Sequence, residues 1–184
     1  MPQIQFTRRF SMAHRLRADA SSKCLTPHGH NEFVKVTLKA KPSAPAVAWG
    51  HRNYALSFEA LKRDWHAFVD NALDHAFQLG HDDPMIGYFR NHEPHLLPRL
   101  LVITGDPTTE AVAMALYHKL NAILSAHVPD FECVRFEIEE TPTNSVILTL
   151  EDLAECTFNF GAWTHRPDQS INDLEPGHNL EFGA

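Results

Sequence analysis

At 184 residues and 43% hydrophobic content, the chain can bury one sizeable core and is short for two. A net charge of −7 disfavours nonspecific binding to nucleic acid. No apolar run has the length of a membrane span, and Met1 to Phe6 lacks the apolar core of a secretion signal, so a cytoplasmic protein is expected.

From Ile4 to His14 the even positions read Ile4, Phe6, Arg8, Phe10, Met12 and His14, mostly apolar, as a half-buried strand requires. Val34, Val36, Leu38 and Ala40 give residues 31–40 the same parity, and the two stretches read as an antiparallel hairpin. Pro42 and Pro45 make residues 41–49 a connecting loop. Ser57 is placed to cap a helix whose apolar stripe is Phe58, Leu61, Trp65, Phe68, Val69 and Leu73, closing at Asp74 and His75. Residues 78–98 show no period and read as irregular, and Leu100 to Ile103 is a candidate short strand. Asp106-Pro107-Thr108-Thr109-Glu110 is a helix start, followed by the stripe Val112, Ala115, Leu116, Leu120, Ile123 and Leu124. Strands are expected over 132–140 and 145–150, joined by a turn at 141–144. The order β-β-α-(β)-α-β-β predicts an α+β sheet with helices on one face. Beyond Glu151, Phe158, Phe160 and Trp163 are apolar enough to pack on something, whereas 166–184 is polar and expected to be loosely ordered. Cys24, Cys133 and Cys156 are odd in number and widely spaced, which argues against a disulfide framework.

Three histidines and a cysteine fall within seventeen residues, as His14 and then Cys24-Leu25-Thr26-Pro27-His28-Gly29-His30. Extending the parity of the second strand backward puts His28 and His30 on its buried face, and a hairpin brings His14 beside them. Three imidazoles make a nitrogen-only zinc site with a fourth position open. Cys24 beside it offers a thiol; were Cys24 itself a ligand, the site would be closed and structural. With thirteen histidines in the chain, the alternative is chance pairing, against which the matched parity argues. Gly29 permits close approach to the backbone.

Other residues allow two readings each. Glu140 falls on the apolar side of its strand, either as a strand-end carboxylate turning to solvent or as an acceptor for a guanidine-like ring edge. Asp74-His75 is either an oriented acid/base pair or a helix-end histidine favoured by the dipole. Arg15, Arg17 and Lys23 could hold phosphates or be solvated loop charges.

Together these residues resemble the 6-pyruvoyl-tetrahydropterin synthase family, and within it the bacterial 6-carboxytetrahydropterin synthases of queuosine biosynthesis. The matching stretches are Phe10 to Leu16, Cys24 to His30, Ser57 to Lys62, Leu73 to His75, Pro107 to Glu110 and Glu140 to Thr141, in the family's order. The resemblance implies Zn2+ on His14, His28 and His30. It implies Cys24 as the catalytic thiol, with Asp74 and His75 completing a proton-relay triad. Glu140 would anchor the pterin's amino-pyrimidine edge, with Thr108 and Thr109 beside the same pocket. The implied fold is the tunnelling fold, or T-fold: a four-stranded antiparallel sheet with two helices on one face, associating into an oligomeric barrel, commonly a hexamer, with active sites at the interfaces. The implied substrate is 7,8-dihydroneopterin triphosphate. Carboxy-forming members release triphosphate and acetaldehyde, pyruvoyl-forming members stop earlier, and a noncatalytic pterin-binding paralogue is a third possibility. Ser57 stands where the family usually has aspartate, and the 78–105 segment is longer than in compact members. A pterin synthase-like domain is expected over 1–150, with residues 151–184 as a C-terminal extension that packs on it or is partly disordered.

Overall fold

Strands β1 (Gln3–His14) and β2 (His28–Ala40) pair antiparallel in one unbroken register, from Gln3 opposite Lys39 to His14 opposite His28. The computed structural model describes residues 3–18, 21–42, 56–155 and 158–174. β5 (Phe131–Thr141) joins β2, and β6 (Asn144–Thr149) joins β5, both antiparallel. These are the four expected strands, but they are not the whole sheet. β3 (Ala76–Gly80) and β4 (Leu100–Ile103) add in parallel beyond β1, giving six strands in the order β4-β3-β1-β2-β5-β6. The expectation of a four-stranded, wholly antiparallel sheet is corrected accordingly.

The two added strands have a physical logic. Ala76, Leu101 and Ile103 enter the main core, while Leu79, Leu100 and Val102 enter a second cluster with Ile86 and Leu97. Alternate side chains point to opposite faces, so both faces are covered, as short parallel strands require. The second cover comes from helix α3 (Pro84–His92) and the 3-10 turn Pro94–Arg99. Helices therefore flank the sheet on both faces rather than one, and the supposedly irregular stretch 78–98 holds most of a strand and a whole helix. Asp83 caps α3 by accepting from Met85 N–H at 2.8 Å, with Pro84 in the first turn.

On the main face lie α2 (Phe58–Phe68) and α4 (Thr109–His127). They bury Leu61, Trp65, Phe68, Leu116 and Leu120 against Phe6, Phe10, Val34, Val36, Phe136 and Ile138. Ser57 caps α2, accepting from Ala60 N–H at 3.2 Å. α2 does not run straight to His75: it widens into a π turn over Val69–Leu73, and His75 takes a left-handed backbone with φ 63°.

The chain continues through α5 (Leu150–Glu155) to a short 3-10 turn, Ala162–His165. Phe160, Trp163 and Ile171 belong to the main core. Residues 166–174 are held rather than loose: Arg166 pairs with Asp173 at 2.8 Å, and Asn172 Nδ2 donates to the Leu97 and Leu100 carbonyls at 3.0 and 2.7 Å. Cys156, most of the expected 41–49 loop and residues 175–184 lie outside the described residues. Among the described residues, no helix is long and apolar enough to cross a membrane.

Gly29 sits opposite Ala13, between His28 and His30, and a Cβ there would strike the Met12 carbonyl oxygen. Gly29→Ala is therefore expected to force β1 and β2 apart where the histidines meet. A loss of about 1–3 kcal/mol in urea unfolding, together with weakened metal uptake, is the expected result.

Candidate functional site

The hairpin register decides the centre of the site. His14 is directly opposite His28, and His30 is opposite Met12 one pleat away, so all three rings emerge on the core face. One nitrogen from each lies within 4.8 Å of the others. His14 Nε2 and His28 Nε2 are 3.1 Å apart. The opposite nitrogens are occupied by backbone carbonyls: Pro107 O lies 3.1 Å from His14 Nδ1, and Thr26 O lies 2.8 Å from His28 Nδ1. A carbonyl can only accept, so each Nδ1 carries the proton and each Nε2 presents a lone pair. Two lone pairs aimed at each other repel unless a cation lies between them. The 3.1 Å separation is close to the edge of a tetrahedron built with Zn–N bonds of roughly 2.0–2.1 Å. The donor set fits a borderline metal such as zinc, and the carbonyl partners are the kind of outer support that fixes a ligating imidazole. His14 is 3% exposed. Burial first, and the neighbouring histidines second, hold its pKa below the usual histidine value, so it stays neutral and able to ligate.

Beside the histidines is a cleft of about 410 Å3, lined by His14, Leu16, Cys24, Thr108, Thr109 and Glu140 among others. Cys24 is carried by α1 (Ser22–Leu25), a single turn capped by Ser21, whose hydroxyl lies 3.4 Å from the thiol. Cys24 is half-buried and unpaired by disulfide. Thr108 caps α4, accepting from Ala111 N–H at 3.3 Å. Thr109 Oγ1 donates to Glu140 Oε1 at 2.6 Å, fixing one carboxylate oxygen at the helix N-terminus, where negative charge is favoured. Five of the nine residues singled out from sequence thus share one cleft, with His28 and His30 adjoining it through His14.

Asp74 and His75 are elsewhere. Asp74 accepts from Ser11 N–H at 2.7 Å and from His75 Nδ1 at 2.8 Å. Partial burial opposes ionisation, but these two donors hold the carboxyl below the usual aspartate value. The His75 ring is 76% exposed and does not line the cleft of its own chain. Its left-handed backbone is uncommon outside glycine, and such strain persists where surrounding bonds enforce it, here His75 N–H to Ser11 O at 2.7 Å.

Of the three basic residues left open, two have structural partners. Arg15 forms a two-pronged pair with the buried Asp83, with Nε at 2.7 Å from Oδ2. Arg17 meets Asp82, and its backbone N–H, with that of Ala18, donates to Asp106 at 2.7 Å. They fasten the segment after β1 to the turns around β3 and β4. Lys23 makes no ion pair among the described residues. Two of the buried polar side chains not singled out from sequence lie close to the histidines. Glu32 is 2% exposed and lies two residues past His30 on the same face, where continued strand parity alone would have flagged it. Burial, with Glu140 alongside, pushes its carboxyl up to about 8. Gln78 is fully buried in register with His14, and neither of its amide atoms has a partner among the described residues.

The family model described as 6-pyruvoyl tetrahydropterin synthase matches residues 3–151. The chain is 25% identical over 134 residues to a Bacillus subtilis protein named 6-carboxy-5,6,7,8-tetrahydropterin synthase, spanning 73% of this chain and 75% of that one. It is 29% identical over 134 residues to a Halobacterium salinarum protein named as a probable enzyme of that activity, spanning 73% and 77%. In fold it is similar to the crystal structure of an uncharacterized protein from Wolinella succinogenes, with a TM-score of 0.62 at 20% identity over 81% of this chain and 98% of that one.

Proposed function

Since this chain belongs to the 6-pyruvoyl tetrahydropterin synthase family, we propose that it is a zinc-dependent 6-carboxy-5,6,7,8-tetrahydropterin synthase, a cytoplasmic homo-oligomer serving queuosine biosynthesis. Its reaction would convert 7,8-dihydroneopterin triphosphate and one water to 6-carboxytetrahydropterin, acetaldehyde and triphosphate. The observation that carries this reading is the convergence of three imidazole nitrogens beside a cleft that also holds a thiol and a carboxylate.

Zinc on His14, His28 and His30 would supply a Lewis acid for the substrate's side-chain oxygens, acidifying the neighbouring C–H and O–H groups. The protein's own groups do the rest. Glu140, with one oxygen held by Thr109, offers the other to the adjacent N–H donors of an amino-pyrimidine edge. Cys24 exchanges a proton with the side-chain carbon lodged beside it. His75, oriented through Nδ1 by Asp74, keeps Nε2 free to relay that proton. Because His75 lies outside its own cleft, the reading requires a second copy of the chain to bring it there, which suits the expected barrel assembly.

The test is mass spectrometry of products after zinc-loaded protein is incubated with 7,8-dihydroneopterin triphosphate. 6-Carboxytetrahydropterin with acetaldehyde is the expected result. 6-Pyruvoyltetrahydropterin would instead identify a pyruvoyl-forming enzyme, and zinc-loaded protein without turnover would favour a binding role. In the same assay Cys24→Ala is expected to keep its metal and its pterin affinity while turnover drops about 10²–10⁴-fold. Undiminished turnover would remove the thiol from the mechanism.

A further inference from the structure

A second group of histidines stands apart from the site above. His118 on α4 and His165 at the end of the Ala162–His165 turn have ring centroids 5.4 Å apart and planes inclined at 58°. The three histidines of the candidate metal centre are spaced alike, with centroids 4.5, 5.2 and 5.2 Å apart and the first pair inclined at 57°. Two imidazoles bound through nitrogen to one tetrahedral metal place their centres about 5 Å apart, since each metal–nitrogen bond is roughly 2 Å. His118 lies nine residues beyond Thr109, or roughly 14 Å further along α4. The pair shares no lining residue with the cleft at Cys24 and Glu140.

The two rings border a separate cleft of about 520 Å3. α4 contributes His118, Asn121, Ala122 and Ser125 from one helical stripe, with Ala126 beside them. The alanines leave room, and Asn121 and Ser125 bring oxygens. Among the described residues no Lys, Arg, Asp or Glu lines this cleft, so an anion finds no fixed positive charge there. Burial first, and His165 second, hold the His118 ring below the usual histidine value, which leaves it a lone pair at neutral pH. His165 is exposed, yet its backbone is fixed. Trp163 and Thr164 before it are fully buried, and the Arg166 N–H after it donates to Trp163 O at 3.2 Å.

We propose that His118 and His165 form a second metal site, for a divalent metal that favours imidazole such as nickel(II) or copper(II), and that the bound ion staples the C-terminal segment to α4. Oxygens from Asn121, Ser125 or water would complete the ligand set. With two imidazoles where the zinc centre has three, this is the weaker site, and dialysis against metal-free buffer empties it. The staple would act on the segment that runs along β4, where Val102 N–H donates to Ile171 O at 3.0 Å and Thr104 N–H to Phe160 O at 3.3 Å. The inference is independent of the pterin reading.

The test is equilibrium dialysis of zinc-loaded protein against nickel(II) chloride, with both metals counted. The wild type is expected to take up one nickel per chain while keeping its zinc. His165→Ala, at an exposed ring, is expected to bind nickel at least about tenfold more weakly, and His118→Ala likewise. His127→Ala, at an exposed histidine on the last turn of α4, is expected to leave nickel binding unchanged. Amide hydrogen exchange reads the staple. Nickel is expected to slow exchange at Val102 and Thr104 in the wild type and not in His165→Ala. Nickel bound equally well by His165→Ala, or taken up only as zinc leaves, would overturn the site. Uptake that depends on His165 but leaves exchange at Val102 and Thr104 unchanged would overturn the stapling role.

Discussion

His14→Ala is expected to yield a folded chain that no longer retains metal after dialysis and has lost on the order of 10³-fold in kcat/KM. His14 is the least exposed of the three histidines and the one of them that lines the cleft. Without it, His28 and His30 remain as two ligands on the open end of β2, too few for a stable zinc site. The clearest readout does not involve turnover. Metal that binds only the native state raises stability by RT ln(1 + [L]/Kd), or about 2.7 kcal/mol at a hundredfold excess over Kd. Wild-type protein should melt at a higher temperature when zinc is added, and His14→Ala should not respond. The variant also orphans the Pro107 carbonyl that now accepts from Nδ1, so its metal-free melting temperature should fall modestly as well. Equal zinc-induced shifts in both proteins would mean that the metal, if bound, is held elsewhere.

Much of this site could be read before any coordinates because it rests on strand parity. Once β1 and β2 pair without a bulge, the alternation that buries Phe10, Met12, Val34 and Val36 also places His14, His28 and His30. The same rule carries Glu140 inward on β5. What parity could not give is partnership between distant segments. Arg15 and Arg17 could be read as phosphate ligands or as solvated loop charges, and neither reading supplies Asp82, Asp83 and Asp106, which arrive from nearly seventy or ninety residues away. β3 was illegible for a local reason: in Ala76-Phe77-Gln78-Leu79-Gly80 a polar amide stands on one buried face and a glycine ends the run. A short strand covered on both sides has no alternation to detect. The position of His75 was hidden for a similar reason, since it depends on a π turn and a left-handed backbone that helical spacing does not announce.

Trp163→Ala is expected to be the most damaging single change outside the site, costing about 3–5 kcal/mol and lowering the melting temperature by roughly 6–20 °C. Trp163 is fully buried, and its Nε1 donates to Val102 O at 2.8 Å. Lys119, itself inaccessible to solvent, donates to the Trp163 carbonyl at 3.3 Å and to Asp168 at 3.1 Å, with its ammonium 5.1 Å from the Phe68 ring. Despite partial burial, Ser170 and Lys119 draw Asp168 down to about 2. A carboxyl with a lowered folded pKa lends stability above the ordinary carboxylate range and loses it as the pH falls towards about 2, so this anchor is intact at neutral pH. The segment does more than fill space. Val102 N–H donates to Ile171 O at 3.0 Å and Thr104 N–H to Phe160 O at 3.3 Å, so it covers the free edge of β4. An uncovered edge of that kind recruits other chains. Trp163→Ala should therefore not only melt earlier but also aggregate on warming in a concentration-dependent way. Phe158→Ser, at a side chain that is already 61% exposed, should do neither. Differential scanning fluorimetry with light scattering separates the two effects. A Trp163→Ala protein that melts like wild type would show that the C-terminal segment only rests on the domain, without holding the β3–β4 edge in place.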